Sequence, residues 1–155
     1  MTKPPLALAS AFLIAACGIA ACGRPTATST VAPSQLPPAD AFQCVMKAFK
    51  DLGFQRTMYD EGDLRTSARK ENPKISFSNT QFRKAWDRLD VDIGPGAAGT
   101  EVEILTVTEA EYFSQTGKIL EQLSPSAEVQ QAARDVRARC DGSKPFQSDS
   151  VPPAN

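Results

Sequence analysis

The sequence predicts an α+β domain, a two-layer sandwich in which an antiparallel sheet of four or five strands carries an N-terminal and a C-terminal helix on one face. Three observations support this fold class. Apolar residues recur at a helical period in residues 41–52 and again in residues 129–140. Between them, in residues 89–93 and 101–104, apolar residues alternate with acidic ones, as in a half-buried strand. The order helix, strands, helix favours a sheet covered by the two helices.

The first predicted helix begins near Asp40, because Gln43 follows at the spacing of a capping box. Gly53 ends the helical pattern. Residues 54–60 and 64–70 lie on either side of the turn sequence DEGD, so we expect two paired strands there. A short strand is expected at residues 75–77, whereas the rest of 71–85 and the segment 109–123 show no clear pattern.

The clearest predicted strand pair flanks the sequence GPGAAG, which we interpret as a loop over residues 94–99. If Ile93 pairs with Thr100, then Val91 faces Val102 on the buried side. The same register places four carboxylates together on the exposed side: Asp90, Asp92, Glu101 and Glu103.

This carboxylate cluster is the weak candidate for a metal site, since like charges directly opposite each other on a sheet repel and Ca²⁺ binds several carboxylate oxygens. The alternative is neutralisation by Arg65 and Arg69 of a neighbouring strand. Sheet faces seldom supply converging calcium ligands, so we expect no metal and no cofactor.

The last predicted helix is capped by Ser124, has Pro125 in its first turn and ends at residues 141–142. Its apolar face is formed by Val129, Ala132, Ala133, Val136 and Cys140. Arginines at 134, 137 and 139 lie in its C-terminal half, where the helix dipole favours cations.

The N-terminus has the layout of an export signal. Lys3 precedes an apolar run, and the apolar segment 6–21 is shorter than the roughly 20 residues that span a bilayer. Residues 14–17 and 19–22 both have the sequence IAAC. Each resembles the lipobox of bacterial lipoproteins, in which the cysteine thiol receives a diacylglyceryl group and the signal is cut just before it.

Two cysteines fit this motif, Cys22 and, as the alternative, Cys17. Lipidation of Cys22 removes Cys17 with the signal and leaves an even pair, Cys44 and Cys140, whereas lipidation of Cys17 leaves an odd thiol in an oxidising compartment. Cys44 and Cys140 both lie toward the apolar sides of their helices, so we expect a disulfide; two reduced, buried cysteines are the alternative. Gly23 follows Cys22, where aspartate would resemble an inner-membrane retention signal, so the outer membrane is favoured.

The predicted organisation is a signal peptide at 1–21, a lipidated cysteine and flexible linker at 22–38, a domain at 39–142 and a disordered tail at 143–155. The linker and the tail are rich in proline and small polar residues. The formal net charge of −1 implies no strongly basic face, so nucleic acid is not an expected partner. Histidine is absent, which removes the commonest general base.

The layout of a lipobox, a short linker and a cysteine-bearing helix that runs into Gly53-Phe54, with Cys140 in the last helix, resembles small bacterial lipoproteins. The resemblance carries no catalytic residue. We therefore expect a non-enzymatic binding or scaffolding module, anchored in the bacterial cell envelope through its lipid and contacting an envelope protein. A carrier of a small apolar ligand is the alternative, and a carboxylate-based enzyme comes third.

Overall fold

The computed structural model describes residues 26–97 and 99–143. These residues form an α+β fold whose elements follow in the order β1 Ala27–Ser34, α1 Pro38–Asp51, β2 Gln55–Asp60, β3 Arg65–Glu71, β4 Phe82–Gly96, β5 Gly99–Ser114, β6 Gly117–Leu123 and α2 Ala127–Cys140. The antiparallel sheet has six strands rather than the expected four or five. The extra strands arise because residues 27–34 and 117–123, which carry no clear strand pattern, pair with β5.

The order of strands in the sheet is β1-β5-β4-β3-β2, and β6 also pairs with β5. Residues 100–107 of β5 pair with β1, and residues 108–114 pair with β6. Thus β1 and β6 lie end to end along one side of β5, with Ala27 opposite Val107 and Leu123 opposite Thr108.

Strand β1 corrects the expectation of a flexible linker, because Ala27–Ser34 lies inside the predicted tether and pairs with β5 along its whole length. Its end is also attached to the end of α2. The Ser34 hydroxyl donates to the carbonyl of Cys140 over 2.6 Å, and the N–H of Gln35 donates to the carbonyl of Asp141 over 2.9 Å. The segment is therefore part of the folded domain.

A buried cluster joins both helices to Ala68 of β3 and to alternate residues of β4 and β5. We call the face of the sheet that bears these residues the covered face and the opposite face the open face. The cluster consists of Ala41, Phe42, Cys44, Val45, Ala48, Phe49, Phe54, Ala68, Leu89, Val91, Ile93, Val102, Ile104, Val129, Ala132, Ala133, Val136 and Cys140. The predicted apolar face of the last helix is wholly inside it, which confirms that prediction.

Both predicted helix caps are wrong by a few residues. Helix α1 has Pro37 at its N-cap and no side-chain cap bond, and Asp40 lies within its first turn. Proline is pre-organised for the start of a helix, so it displaces the boundary toward the N-terminus. In α2 the cap is Ser126, whose hydroxyl accepts from the N–H of Val129 over 3.0 Å, rather than Ser124.

The register of the β4–β5 hairpin differs from the prediction by two residues. Ile93 pairs with Val102 rather than Thr100, because residues 94–96 continue β4 and Gly96 pairs with Gly99. The pairing of β4 with β3 ends at Asp92. Proline at position 95, which has no N–H to donate, therefore removes no hydrogen bond between β4 and β3. A shift by two preserves which face each side chain occupies.

The short strand expected at residues 75–77 is absent; these residues lie in the β3–β4 connection.

Candidate functional site

The cysteines proposed for lipidation, Cys22 and Cys17, lie outside the described residues, as do the signal and residues 144–155 of the tail. The disulfide between Cys44 and Cys140 is present, with a Cα–Cα distance of 5.7 Å. Both cysteines are buried, and their bond joins α1 to α2 across the core.

The four carboxylates proposed as a weak metal site lie on the open face, and Asp90, Asp92 and Glu103 have other partners. Asp92 forms an ion pair with Arg65 at 2.7 Å, and Asp90 pairs with Arg88 at 3.1 Å. Glu103 lies opposite Asp92 and accepts from the Ser29 hydroxyl over 2.6 Å, whereas Glu101 lies opposite residue 94. The predicted register places Asp90 opposite Glu103, whereas in the structure Asp90 lies opposite Leu105. Within residues 26–97 and 99–143, no group of acidic, cysteine or histidine side chains is arranged to hold a metal.

Neutralisation by arginine, the alternative interpretation, holds for Arg65 but not for Arg69. The Arg69 guanidinium lies over the ring of Trp86 at 4.3 Å, and the Lys84 ammonium approaches the same ring at 4.5 Å. Trp86 in turn donates its indole N–H to Glu111 over 3.1 Å. These contacts arrange the middle of the open face as a network of paired charges around one aromatic side chain.

The carboxylate of Glu111 is the electrostatic centre of this network. The Lys118 ammonium lies 2.7 Å away and, with the N–H of Trp86, holds the pKa of Glu111 below its ordinary value despite burial. Arg88 adds a second, partly buried contact, at 2.6 Å from Glu109. The network thus links β4, β5 and β6 through charged pairs.

On the covered face, Asp87 is a buried carboxylate with a structural role. It is 4% exposed and accepts from Asn72 over 2.8 Å, from Thr108 over 2.7 Å and from the Ser126 hydroxyl over 2.9 Å. Because Ser126 caps α2, Asp87 fixes the start of that helix against the sheet. Charge-assisted hydrogen bonds of this kind stabilise a carboxylate without a cationic partner.

A cleft of about 570 Å³ lies between α2, the end of α1 and residues 70–74. Its lining includes the apolar side chains of Leu52, Phe54 and Ala132, with charged residues around them. At one side the Lys74 ammonium and the Glu128 carboxylate meet at 2.6 Å, and this hydrogen bond raises the pKa of Lys74 and lowers the pKa of Glu128. The cleft is an apolar depression with a charged rim, open to solvent.

Strand β6 offers backbone hydrogen-bonding groups on its outer side. The N–H of Phe113 donates to the carbonyl of Gln81 over 2.9 Å, away from β6, so the facing residue Lys118 does not bond β5 through its backbone. Alternation along the strand places the backbone groups of Leu120 and Gln122 outward as well. Among the described residues, no backbone partner contacts these three positions on the outer side of β6.

Exposed apolar side chains surround this edge. We call them the β6 patch: Phe77, Phe113, Ile119 and Leu120, which are between 40% and 49% exposed. Phe113 and Leu120 lie on the open face, where Phe113 opposes Lys118 in the register. On the covered side, Phe77 packs on Phe82 with ring centroids 5.2 Å apart, and Ile119 opposes Tyr112.

Neither the β6 edge nor the β6 patch was predicted from the sequence. The segment KILEQL combines two adjacent apolar residues with charged neighbours, which matches neither a half-buried strand nor an amphipathic helix. Two adjacent apolar residues in a strand point to opposite faces, so at least one of them faces away from the core. That conflict was the available signal.

No protein-family model matches the chain, and no curated protein matches it. In the part of the chain that the structure describes, no helix is long and apolar enough to cross a membrane.

Proposed function

We propose that this protein is a lipid-anchored, non-enzymatic binding module of the bacterial cell envelope, held by an acylated Cys22 and engaging a partner protein through β6. The outer membrane is its proposed location where the cell has one. The partner adds an extended strand to β6 and places apolar side chains against the β6 patch.

The observation that carries this proposal is the coincidence of the free β6 edge with the β6 patch. Strand addition takes its affinity from backbone hydrogen bonds and its specificity from pockets and contacts for alternate side chains. The outward groups of Lys118, Leu120 and Gln122 supply the first, and the patch supplies the second. Aromatic and apolar anchors at the centre of an interface contribute most of its binding energy. Native proteins otherwise protect exposed edges, so an open apolar edge favours a binding role.

A photo-crosslinking experiment in cells tests this proposal. A photoreactive phenylalanine analogue is placed at Leu120, beside the edge, and in a second strain at Met58, which is 43% exposed on β2 at the other end of the strand order. Each is combined with Gln122→Pro or with the matched control Gln122→Ala. Proline removes the outward N–H but spares the bonds between β5 and β6, and such an edge position tolerates proline.

We expect the photoreactive residue at position 120 to give one discrete adduct, and the same residue at position 58 not to give it. Gln122→Ala retains this adduct and Gln122→Pro abolishes it, while thermal unfolding shows that both variants remain folded. Equal adducts from the two labelled positions, or an adduct that survives the proline substitution in a folded protein, contradicts strand addition at β6.

The cleft supports a second candidate function, the carriage of a small apolar ligand. Its volume of about 570 Å³ is in the range of small-molecule sites, and Leu52 and Phe54 contribute apolar lining. Gln131 lines the cleft, whereas Gln130 lines a groove on the β1 side of α2. With 1-anilinonaphthalene-8-sulfonate as the probe, this function predicts binding that Gln131→Trp reduces and Gln130→Trp leaves unchanged. Absence of probe binding, or equal effects of the two variants, contradicts it.

A further inference from the structure

The position of β1 restricts how far the domain can lie from a lipid attached to Cys22. Only the residues GRPT separate Cys22 from Ala27, where the strand begins. A chain spans at most about 3.3–3.6 Å per residue, so Thr28 lies within roughly 20–22 Å of the acylated residue, whatever path the chain takes. This inference rests on the proposed anchoring at Cys22. The anchored domain is thereby held against the headgroup layer.

The surface beside this attachment point carries two arginines. Thr28 and Thr30 of β1 and Arg134 and Arg137 of α2 line a groove of about 90 Å³, which we call the β1–α2 groove. Arg134 and Arg137 are exposed and also line the adjoining groove toward the end of α2. Their spacing of three residues places both on one side of the helix. The groove is therefore a short cationic stripe next to the beginning of β1.

These arginines have capacity for an anion. Arg134 donates two of its N–H groups to the Gln131 side chain, at 3.1 and 2.8 Å, and among the described residues no carboxylate pairs with Arg137. The acids nearby are engaged elsewhere: Asp135 accepts from Gln131, and Asp141 accepts from Ser143. The planar guanidinium is suited to phosphate oxygens.

We propose that the β1–α2 groove binds the phosphates of anionic phospholipids in the membrane that carries the anchor. Arg137 is the principal contact and Arg134 the second. The lipid and this groove together hold the domain in a defined orientation on the membrane, so that it does not rotate freely about its lipid.

Arginine modification of the full lipidated chain tests the orientation. The protein is reconstituted into vesicles of phosphatidylcholine alone and into vesicles that also contain phosphatidylglycerol, and reaction with phenylglyoxal is followed residue by residue by mass spectrometry. The attraction of one arginine to an anionic surface strengthens binding about fivefold. Because a lipid-bound guanidinium is protected from the reagent, Arg137 should react about fivefold more slowly in the anionic vesicles. Arg56, on β2 at the far end of the strand order, is the internal control and should react equally in both.

A third sample, neutral vesicles with inorganic phosphate, separates lipid from free anion. Phosphate that protects Arg137 as well as phosphatidylglycerol does overturns the membrane contact, and so do equal rates in the two kinds of vesicle. The intact mass of each sample is read first. A chain without acyl mass overturns the proposed anchor together with this inference, whereas an acylated chain with equal rates overturns the inference alone.

Discussion

The Cys44–Cys140 disulfide should supply a large share of the stability of this domain. The two cysteines are 96 positions apart, so their bond closes almost the whole of the sequence from α1 to α2. For a loop of that length, the chain-entropy model predicts a stabilisation of about 4.7 kcal/mol, because the bond restricts the unfolded chain. Small domains have total stabilities of only about 5–15 kcal/mol. Removing the bond should therefore leave the fold marginal.

Urea unfolding of the oxidised protein, the reduced protein and the double variant Cys44→Ala/Cys140→Ala measures this contribution. With a denaturant slope of about 1.5 kcal/mol/M, the loss corresponds to a fall of roughly 3 M in the unfolding midpoint. The reduced protein keeps both sulfur atoms in the core, so its difference from the alanine variant isolates lost packing. Val136→Ala, one turn earlier on α2 and equally buried, gives a packing loss without changing loop closure. A loss of less than about 1.5 kcal/mol on reduction would refute the chain-entropy explanation.

Three further predictions concern charged groups. Asp87→Ala leaves several buried donors without their acceptor, so the free energy of unfolding should fall by about 3 kcal/mol in urea titrations, and a loss under 1 kcal/mol contradicts the structural role. The folded-state pKa of Glu111 is lowered, so its contribution to stability is present above its ordinary value of 4.5 and is lost as pH falls through the folded-state value. Glu111→Gln should therefore flatten the acid side of the stability–pH curve, and curves of equal slope contradict this. Because Arg65 neutralises Asp92, Ca²⁺ should leave the Tm unchanged to within about 1 °C, and a rise of several degrees restores the metal hypothesis.

The features that could be predicted from the sequence are those set by a strong apolar period. Alternation in residues 89–93 identifies the buried face of β4, since successive side chains in a strand point to opposite faces. The five-residue face of α2 follows from helical spacing in the same way. Cys44 lies on the apolar face of α1 and Cys140 on that of α2, which is why their pairing could be predicted although they are distant in sequence.

The features that were missed depend on pairing partners distant in sequence. Strand β1, with the sequence ATSTVAPS, has the composition of a linker, and only its hydrogen bonds to β5 make it a strand. The predicted register of the hairpin was wrong because glycine and proline at 94–96 are typical of a turn, whereas in this structure they continue β4. The cap of α2 was misplaced because Ser124 and Ser126 lie close together, and the hydrogen bond of Ser126 to Asp87 selects the second serine.

The proposed binding surface at β6 was the least predictable feature. An edge strand has one side without a partner, so its side chains need not follow the alternation that marks a half-buried strand. Ile119 and Leu120 are exposed on opposite faces of β6, and their proximity to Phe77 and Phe113 depends on the folded sheet. Conversely, the carboxylates of the predicted metal site were correctly placed on one face. Two of them pair with arginines, Asp92 with Arg65 of the neighbouring strand and Asp90 with Arg88 of its own strand.

Anchoring at Cys22 is the premise of both the binding role and the membrane contact, and intact-mass spectrometry of the membrane-extracted protein tests it most directly. The predicted result is a chain that begins at Cys22, carries added acyl mass and takes up two alkyl groups only after reduction, at Cys44 and Cys140. A chain that retains residues 1–21, or one that carries no lipid, would contradict the anchor and return the location of the domain to an open question.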